Sequence, residues 1–471
     1  MSRQQTEHAV VLGASMAGLL AARVLADRYP RVTVLDRDHL VPDPASPRRG
    51  VPQGAHIHAL LARGQQALEE LIPGLTEELI GRGAPAGDLL GDSRWFVGGH
   101  RFRRARSGVP VLCASRPLLE DTVRARVSAM SGVDVVARTE VVGFETAGDG
   151  LRVTGVRVRR EGRAGDEPVP ADLVVDATGR GSRTPRWLGA MGLPVPEEER
   201  VTIGLGYATR TYRARPGAIG SDLGIIPAPY PPLGRGGGLA VIEGDRWIVT
   251  LAGVLGDHPP ADAAGFEAFA RSLPVPDLHD AIAGAEPLDD PVPFRFPASV
   301  RRRYERLARF PDRLLVLGDA FCSFNPVYGQ GMTVAALEAL ALRRHLRARP
   351  PRPRAFHRHV ARIVDAPWDM VVGGDLAFPG VQGRRTAKIR LVDAYLGRLQ
   401  AAAADDAEVA VAFVRVAGLV DGPGALLHPR IALRVARHAR RGRAAGTPGG
   451  TDAPGPRRPI RPTGSTGGAH P

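Results

Sequence analysis

The sequence predicts an α/β protein. A parallel sheet is assembled from segments far apart in the chain, an antiparallel sheet is inserted between them, and helices follow. Three stretches predict this. His8 to Asp36, HAVVLGASMAGLLAARVLADRYPRVTVLD, reads as strand, glycine turn, helix and second strand. Ala171 to Leu188, ADLVVDATGRGSRTPRWL, is another apolar run closing on a glycine turn. Leu314 to Met332, LLVLGDAFCSFNPVYGQGM, is a third, with a second glycine pair past Pro326.

The first stretch carries the dinucleotide-binding pattern of a Rossmann-type unit. Gly13 stands where the turn needs a residue without a side chain, Ser15 where backbone approaches a pyrophosphate, and Gly18 where helix packs closely on strand. Ser15 replaces the middle glycine of GxGxxG. The amides of this turn face an anion at the helix N-terminus. Asp36 ends the next strand about twenty residues on, where a carboxylate accepts hydrogen bonds from ribose hydroxyls and disfavours a 2'-phosphate. A secretory signal is the rival reading of Val10 to Ala26. Gly13 and Gly18 interrupt the apolar run, no basic cluster flanks it, and strand plus Asp36 follow in register.

Ser115-Arg116-Pro117 opens a helix whose Leu118, Leu119, Val123 and Val127 share one face. Arg116 at its start either meets a phosphate or ribityl oxygen or is simply solvated. VDVVARTEVVGFETAGDG and LRVTGVRVRR then read as a meander leading to the strand that ends at Asp176-Ala177-Thr178-Gly179. Gly179, Gly181 and Ser182 make a turn that lays backbone against a cofactor, and the same residues fit an ordinary strand-to-helix turn. From about Glu197 to Pro297, Val201 to Tyr212, Gly238 to Ile242 and Trp247 to Val254 predict an antiparallel sheet, with GFEAFARSL a short amphipathic helix after it. Helical periodicity covers Ala355 to His438, with Val360, Ile363 and Val364 on one face and later helices at Ile389 to Ala401 and Val409 to Val420.

LLVLGDA reads as a fully buried parallel strand, which puts Gly318-Asp319 at its carboxyl end, where α/β sheets bind ligands. There Asp319 accepts hydrogen bonds from polyol hydroxyls. Pro326 fixes the following loop, and Gly329-Gln330-Gly331 lets backbone approach a flat ring. MTVAALEALALRRHL is a helix whose positive end points at that ring and favours negative charge on it.

Composition narrows the partners. The 471 residues allow two or three domains with real cores, and no stretch is apolar and long enough to span a membrane. Cys113 and Cys322 are the only cysteines, so there is neither a disulfide framework nor a CxxC metal pattern, and a reducing, cytoplasmic compartment is expected. From Arg434 onward eight arginines stand against Asp452 alone, a net +7 of the formal +14. The end of that segment, AAGTPGGTDAPGPRRPIRPTGSTGGAHP, has almost nothing to bury and is expected to be disordered. Without interleaved aromatics or a recognised module, no specific nucleic-acid partner is expected.

The three stations GASMAG, ATGRGS and GDAFCSFNPVYGQGM, in this order and spacing, resemble the single-component FAD-dependent monooxygenases of the aromatic hydroxylase and epoxidase superfamily, over about residues 8 to 435. RRGVPQGAHIHALLARGQQALEELIPG and the third station are similar to bacterial secondary-metabolite olefin epoxidases of the polyether type. The resemblance implies FAD held by Gly13, Ser15, Ala17, Gly18, Asp36, Arg37, Arg49, Arg116, Gly179, Asp319 and Pro326, with Gly329, Gln330, Gly331 and Met332 bordering the isoalloxazine. Together with the residue patterns it divides the chain into an FAD-binding domain from 1–75, 111–190 and 298–350, a β-sheet substrate domain from 76–110 and 191–297, and a helical region at 351–440, followed by a disordered basic tail expected from composition at 441–471.

By the same resemblance the enzyme takes electrons from NAD(P)H, directly or through a separate flavin reductase, and uses O2. It inserts one oxygen atom into a hydrophobic polyketide or terpenoid alkene through a flavin hydroperoxide, or into an aromatic ring, in secondary-metabolite or antibiotic biosynthesis. Many phenol hydroxylases carry a histidine three residues after the GD aspartate, where this chain has Cys322, and this favours an alkene. The DATG segment also differs from the DG pair of those hydroxylases. His56 and His58, just past Pro52-Gln53, are the candidate proton shuttles at neutral pH. A structural role, capping a helix from Ile57 to Leu71 or hydrogen-bonding backbone near FAD, fits them better than the shuttle role. A halogenase of this superfamily is expected to show WxWxIP and an active-site lysine. The chain lacks the motif, and its one lysine, Lys388, lies outside the stations. A prenyl-chain reductase is distinguished by anaerobic activity, and a nucleotide-binding scaffold by the lack of oxygen-dependent NAD(P)H consumption.

Overall fold

The computed structural model describes residues 7–40, 48, 50–148, 150–347 and 351–445. At its centre five parallel strands lie in the order Leu314–Val316, Leu173–Asp176, His8–Leu12, Arg31–Leu35 and Val133–Val136. Segments 300 residues apart in the chain are therefore separated by one strand. The inner strands are buried on both faces, which is why they read as unbroken apolar runs rather than alternations.

One face is covered by the helices Met16–Leu25, Arg116–Ser128, Gly331–His345 and Pro353–Ala377, whose Leu19, Val123, Ala336 and Val360 join a single core. The other face carries a three-stranded antiparallel sheet of Thr139–Thr146, Val153–Arg160 and Glu167–Pro170. Its Val153, Val156 and Val158 pack on Val10, Leu12 and Val174. The sequence expectation placed VDVV at the start of this meander. It is instead the outer strand of the parallel sheet, because helix Arg116–Ser128 is a crossover that returns the chain in the direction of Arg31–Leu35.

The inserted sheet has eight strands in the order Cys322–Ser323, Val292–Arg302, Glu198–Arg213, Arg246–Gly253, Arg235–Ile242, Gly224–Pro227, Ser93–Val97 and His100–Arg101. All pairs are antiparallel except Gly224–Pro227 with Ser93–Val97, which draws an early segment into the sheet. One face packs on the helix Ala263–Arg271 through Phe266 and Phe269. Tyr207, Val254 and Phe296 pack with Leu376 and Phe378, at the end of helix Pro353–Ala377.

The helices Ala387–Asp405, Ala407–Ala417 and Pro429–Ala445 form a further core around Leu399, Val409, Val414 and Val435. The last helix runs to Ala445, beyond the residue 441 at which a tail was expected to begin. Ala444 and Ala445, expected to be disordered, end this helix, and the rest of the expected disordered segment, 446–471, lies outside the described residues. Among the described residues no helix is long and apolar enough to cross a membrane.

Candidate cofactor and active site

The glycine stations meet pairwise at the carboxyl end of the parallel sheet. Gly13 has φ +98°, and a β-carbon there would sit 2.7 Å from the Ala177 carbonyl oxygen, so the first station touches the second. Gly318 has φ +65°, and a β-carbon there would lie 2.8 Å from Ala17 Cβ, so the third touches the first. A β-carbon on Gly179 would lie 3.9 Å from Asp319 Cβ, which joins second and third. Gly18 backs onto the Gly13 carbonyl so closely that any side chain would overlap it, so the helix Met16–Leu25 is pressed against its own turn.

Around this junction lies a compensated set of charges. Arg116 is buried, which removes the reading of it as a solvated arginine. It donates to Ser15 Oγ at 2.8 Å and to Glu120 Oε2 at 3.1 Å, one helical turn along. Ser15 Oγ in turn donates to Glu120 Oε2 at 2.8 Å. Arg48 reaches Glu120 Oε1 at 2.5 Å, Asp36 Oδ2 at 3.6 Å and Asp38 Oδ2 at 3.5 Å. Burial pushes the Glu120 carboxyl up, but Arg116, Arg48 and the Ser15 hydroxyl outweigh it and hold it below the usual range. Asp36 is engaged at home: Oδ2 accepts from Ala14 N at 2.7 Å and Oδ1 from Asp38 N at 2.9 Å. Arg37 is exposed beside it, and Arg49 lies outside the described residues.

Asp319 differs from these carboxylates. It is half-buried, and no N–H or O–H among the described residues donates to it. Burial raises its carboxyl, opposed by Arg116, Arg180 and Arg302. A carboxylate within electrostatic reach of three guanidiniums, with lone pairs that no described residue uses, suits hydroxyl donors. The donor set therefore fits a polyol such as the ribityl chain of FAD.

Past Asn325, whose side chain accepts from Val327 N, the turn Pro326–Tyr328 ends on Gly329 in the left-handed region at φ +66°. The helix Gly331–His345 then starts with no side-chain cap. Gln330 is buried with Oε1 unpartnered. A β-carbon on Gly331 would lie 3.9 Å from Asp319 Oδ1, so this loop and the GD carboxylate share one space. Met332 lines a small cavity with His58, Leu60, Leu112, Ala114 and Leu119.

The two histidines are placed differently from expectation. The helix begins at Ala62, not Ile57, after the single turn Pro52–Ala55. Residues 57 to 61 are not helical, because Ile57 N donates to Thr250 Oγ1 at 3.0 Å and ties the chain to the antiparallel sheet. Neither histidine caps that helix. His56 is buried, with Nδ1 on Thr209 Oγ1 at 2.7 Å and its ring against Phe294 and Tyr207. His58 Nδ1 faces the His56 carbonyl at 2.9 Å. Burial lowers His56 to about 4, and burial with the Arg116 charge lowers His58 to about 3. At pH 7 burial keeps both neutral and weakly basic, which makes each a poor proton acceptor there.

Two groups escaped the sequence reading. Glu120 had a readable signal, four residues after Arg116 on one helix. Asp375 had none. It is buried at the end of helix Pro353–Ala377, where Oδ1 accepts from Asn325 Nδ2 at 2.8 Å and Tyr328 OH at 3.3 Å, fifty and forty-seven residues away. Cys322 is buried in its short strand, and burial pushes its thiol well above the usual range. Asp176 is a structural hub, accepting from Thr178, Ser182 and Thr184 side chains.

The class defined by this architecture is the fold shared by flavin-dependent monooxygenases and halogenases. The brominase Bmp2 superposes with a TM-score of 0.64 at 14% identity, over 93% of this chain and all of that one. The probable FAD-dependent monooxygenase PqsL of Pseudomonas aeruginosa superposes at 0.54 and 18%, over 86% and 99%. In sequence, the chain belongs to the family of Protein Rv3254 of Mycobacterium tuberculosis, with 39% identity over 391 residues, 79% of this chain and 81% of that protein. It is also 28% identical over 388 residues to kynurenine 3-monooxygenase of Salinispora arenicola, 77% of each chain. No family model matches.

Proposed function

We propose that this protein is an FAD-dependent monooxygenase that inserts one oxygen atom into a hydrophobic small molecule. The observation that carries this reading is Asp319, an acceptor to which no described residue donates, where the three glycine stations converge. Gly13, Ser15, Ala17 and Gly18 hold the diphosphate, Asp36 and Arg37 the adenosine side, Arg116, Gly179 and Asp319 the ribityl chain, and Pro326 to Met332 the ring. When bound, FAD supplies the redox chemistry that activates dioxygen. The parallel-sheet segments (1–75, 111–190 and 298–350) serve as the FAD domain, and the inserted sheet supplies the substrate wall. Tyr207, Phe294 and Phe296 line that wall and exclude water from the reacting centre. Reducing equivalents come from NAD(P)H, directly or through a reductase.

For the product, Cys322 in place of a histidine supports epoxidation of an alkene. The buried Asp375 beside Tyr328 supports a second reading, hydroxylation of an aromatic ring, because it supplies the proton-handling group that ring chemistry uses. Halogenation is less well supported: Lys388 is exposed on helix Ala387–Asp405, within 3.8 Å of Asp369.

The purified protein is expected to be yellow. Asp319→Ala removes an acceptor contributing about 1.5–3 kcal/mol, which is roughly a 10- to 150-fold loss of FAD affinity by absorbance titration. A colourless wild-type protein that ignores added FAD overturns the reading.

A further inference from the structure

The strand Leu314–Val316 is an edge of the parallel sheet, so the amides that a further strand would take must find other acceptors. Two buried side chains supply them. Val316 N donates to His357 Nε2 at 3.1 Å, and Gly318 N donates to Glu338 Oε2, on the helix Gly331–His345. Glu338 is fully buried, and its Oε1 has no partner among the described residues. The Gly318 amide sits at a tight place: its residue has φ +65°, a β-carbon there would lie 2.8 Å from Ala17 Cβ, and Asp319 follows directly. The same helix meets that carboxyl at its first residue, where a β-carbon on Gly331 would lie 3.9 Å from Asp319 Oδ1. One helix therefore meets the Gly318–Asp319 turn at two places, its start and a point two turns along.

We propose that Glu338 is a positioning residue for FAD: through the Gly318 amide it sets the Asp319 carboxyl for the ribityl hydroxyls, and loss of its proton weakens cofactor binding. The inference rests on the FAD reading of the Asp319 site and adds a dependence on pH to it.

Burial raises Glu338 to about 8, the Asp319 charge adds to the rise, and the Gly318 amide opposes it. Asp319 is in turn acted on by Arg116, Arg180 and Arg302. The other neighbours are uncharged. The helices Met16–Leu25 and Ala62–Leu71 pack on Gly331–His345 with apolar buried faces, burial holds His357 neutral at about 3, and burial keeps the Cys322 thiol protonated. FAD brings a negative diphosphate and covers the turn, and both disfavour a second carboxylate beside Asp319. The complex therefore holds the Glu338 proton more tightly than the free protein does, and by linkage the affinity for FAD falls as pH rises through about 8.

The test titrates FAD into the full-length protein at pH 7 and pH 9.5 and follows the quenching of flavin fluorescence. Wild type is expected to bind about tenfold more weakly at the higher pH. Glu338→Gln keeps an acceptor for the Gly318 amide and has no proton to lose, so it is expected to match wild type at pH 7 and to change by less than about twofold at pH 9.5. Glu338→Leu leaves that amide buried without an acceptor and is expected to bind about tenfold more weakly already at pH 7. Equal wild-type affinity at the two pH values, a Glu338→Gln protein that falls as wild type does, or a Glu338→Leu protein that binds as wild type does at pH 7 overturns this inference and leaves FAD binding standing. A wild type that takes up no FAD at either pH sinks the monooxygenase reading, and this inference with it.

Discussion

The junction of the glycine stations and the ring-lined wall by Asp375 are neighbouring parts of one candidate site, built on opposite principles. At the junction charges are dense and paired: Glu120 holds Arg48 and Arg116, and backbone meets backbone through Gly13, Gly18 and Gly318. At the wall polar groups are few and two of their atoms are unpaired, among Tyr207, Phe294, Val327 and Leu376. The difference shows a division of labour. On the proposed reading, paired charge and bare backbone suit a fixed, anionic, polyol-bearing cofactor, whereas unpaired polar atoms among rings suit a variable substrate.

The sharpest way to break this contrast is Glu120→Ala. It leaves Arg48 and Arg116 buried without their shared carboxylate, and stability is expected to fall by about 3–5 kcal/mol in urea unfolding. An unchanged midpoint would mean that charge pairing does not hold the junction together.

A smaller effect separates the regions by pH. His56, His58 and His357 are held neutral at about 4, 3 and 3 by burial, so their unfolded forms take up protons below about 6.5 that the folded forms refuse. Their contribution is fully present above that pH and lost as pH falls toward 4 and 3. Asp375 at about 7 and Glu338 at about 8 carry the opposite sign, losing stability as pH rises through those values. Calorimetry is expected to show the melting temperature dropping on both sides of a mildly acidic optimum. His56→Gln should flatten the acid side, and an equally steep acid limb would count against neutral His56. Smallest of all, deleting Ala445 to Pro471 is expected to leave melting and flavin content unchanged, and a large loss of either would make the tail a third structural region.

The junction was legible because its signals are local. A glycine before an apolar helix, a carboxylate at a strand end, and serine before Arg116-Pro117 each describe what their own few residues must do, and the helices Met16–Leu25, Arg116–Ser128 and Gly331–His345 formed where those signals stand. Where expectation failed, a distant partner outcompeted local preference. Thr250 takes the Ile57 amide and delays a helix to Ala62, and Arg31–Leu35 takes Val133–Val136 from the meander. Periodicity within one segment carries no information about such partners.

By itself, the sequence determined the class of the sheet and the order of the glycine stations, because buried runs and positive-φ turns are set by neighbouring residues. Only the tertiary structure decided that Arg116 is buried against Glu120, that His56 and His58 are neutral, and that Asp375, Tyr328 and Tyr207 converge. Those outcomes depend on burial and on contacts between distant segments, and desolvation exists only once the chain has packed.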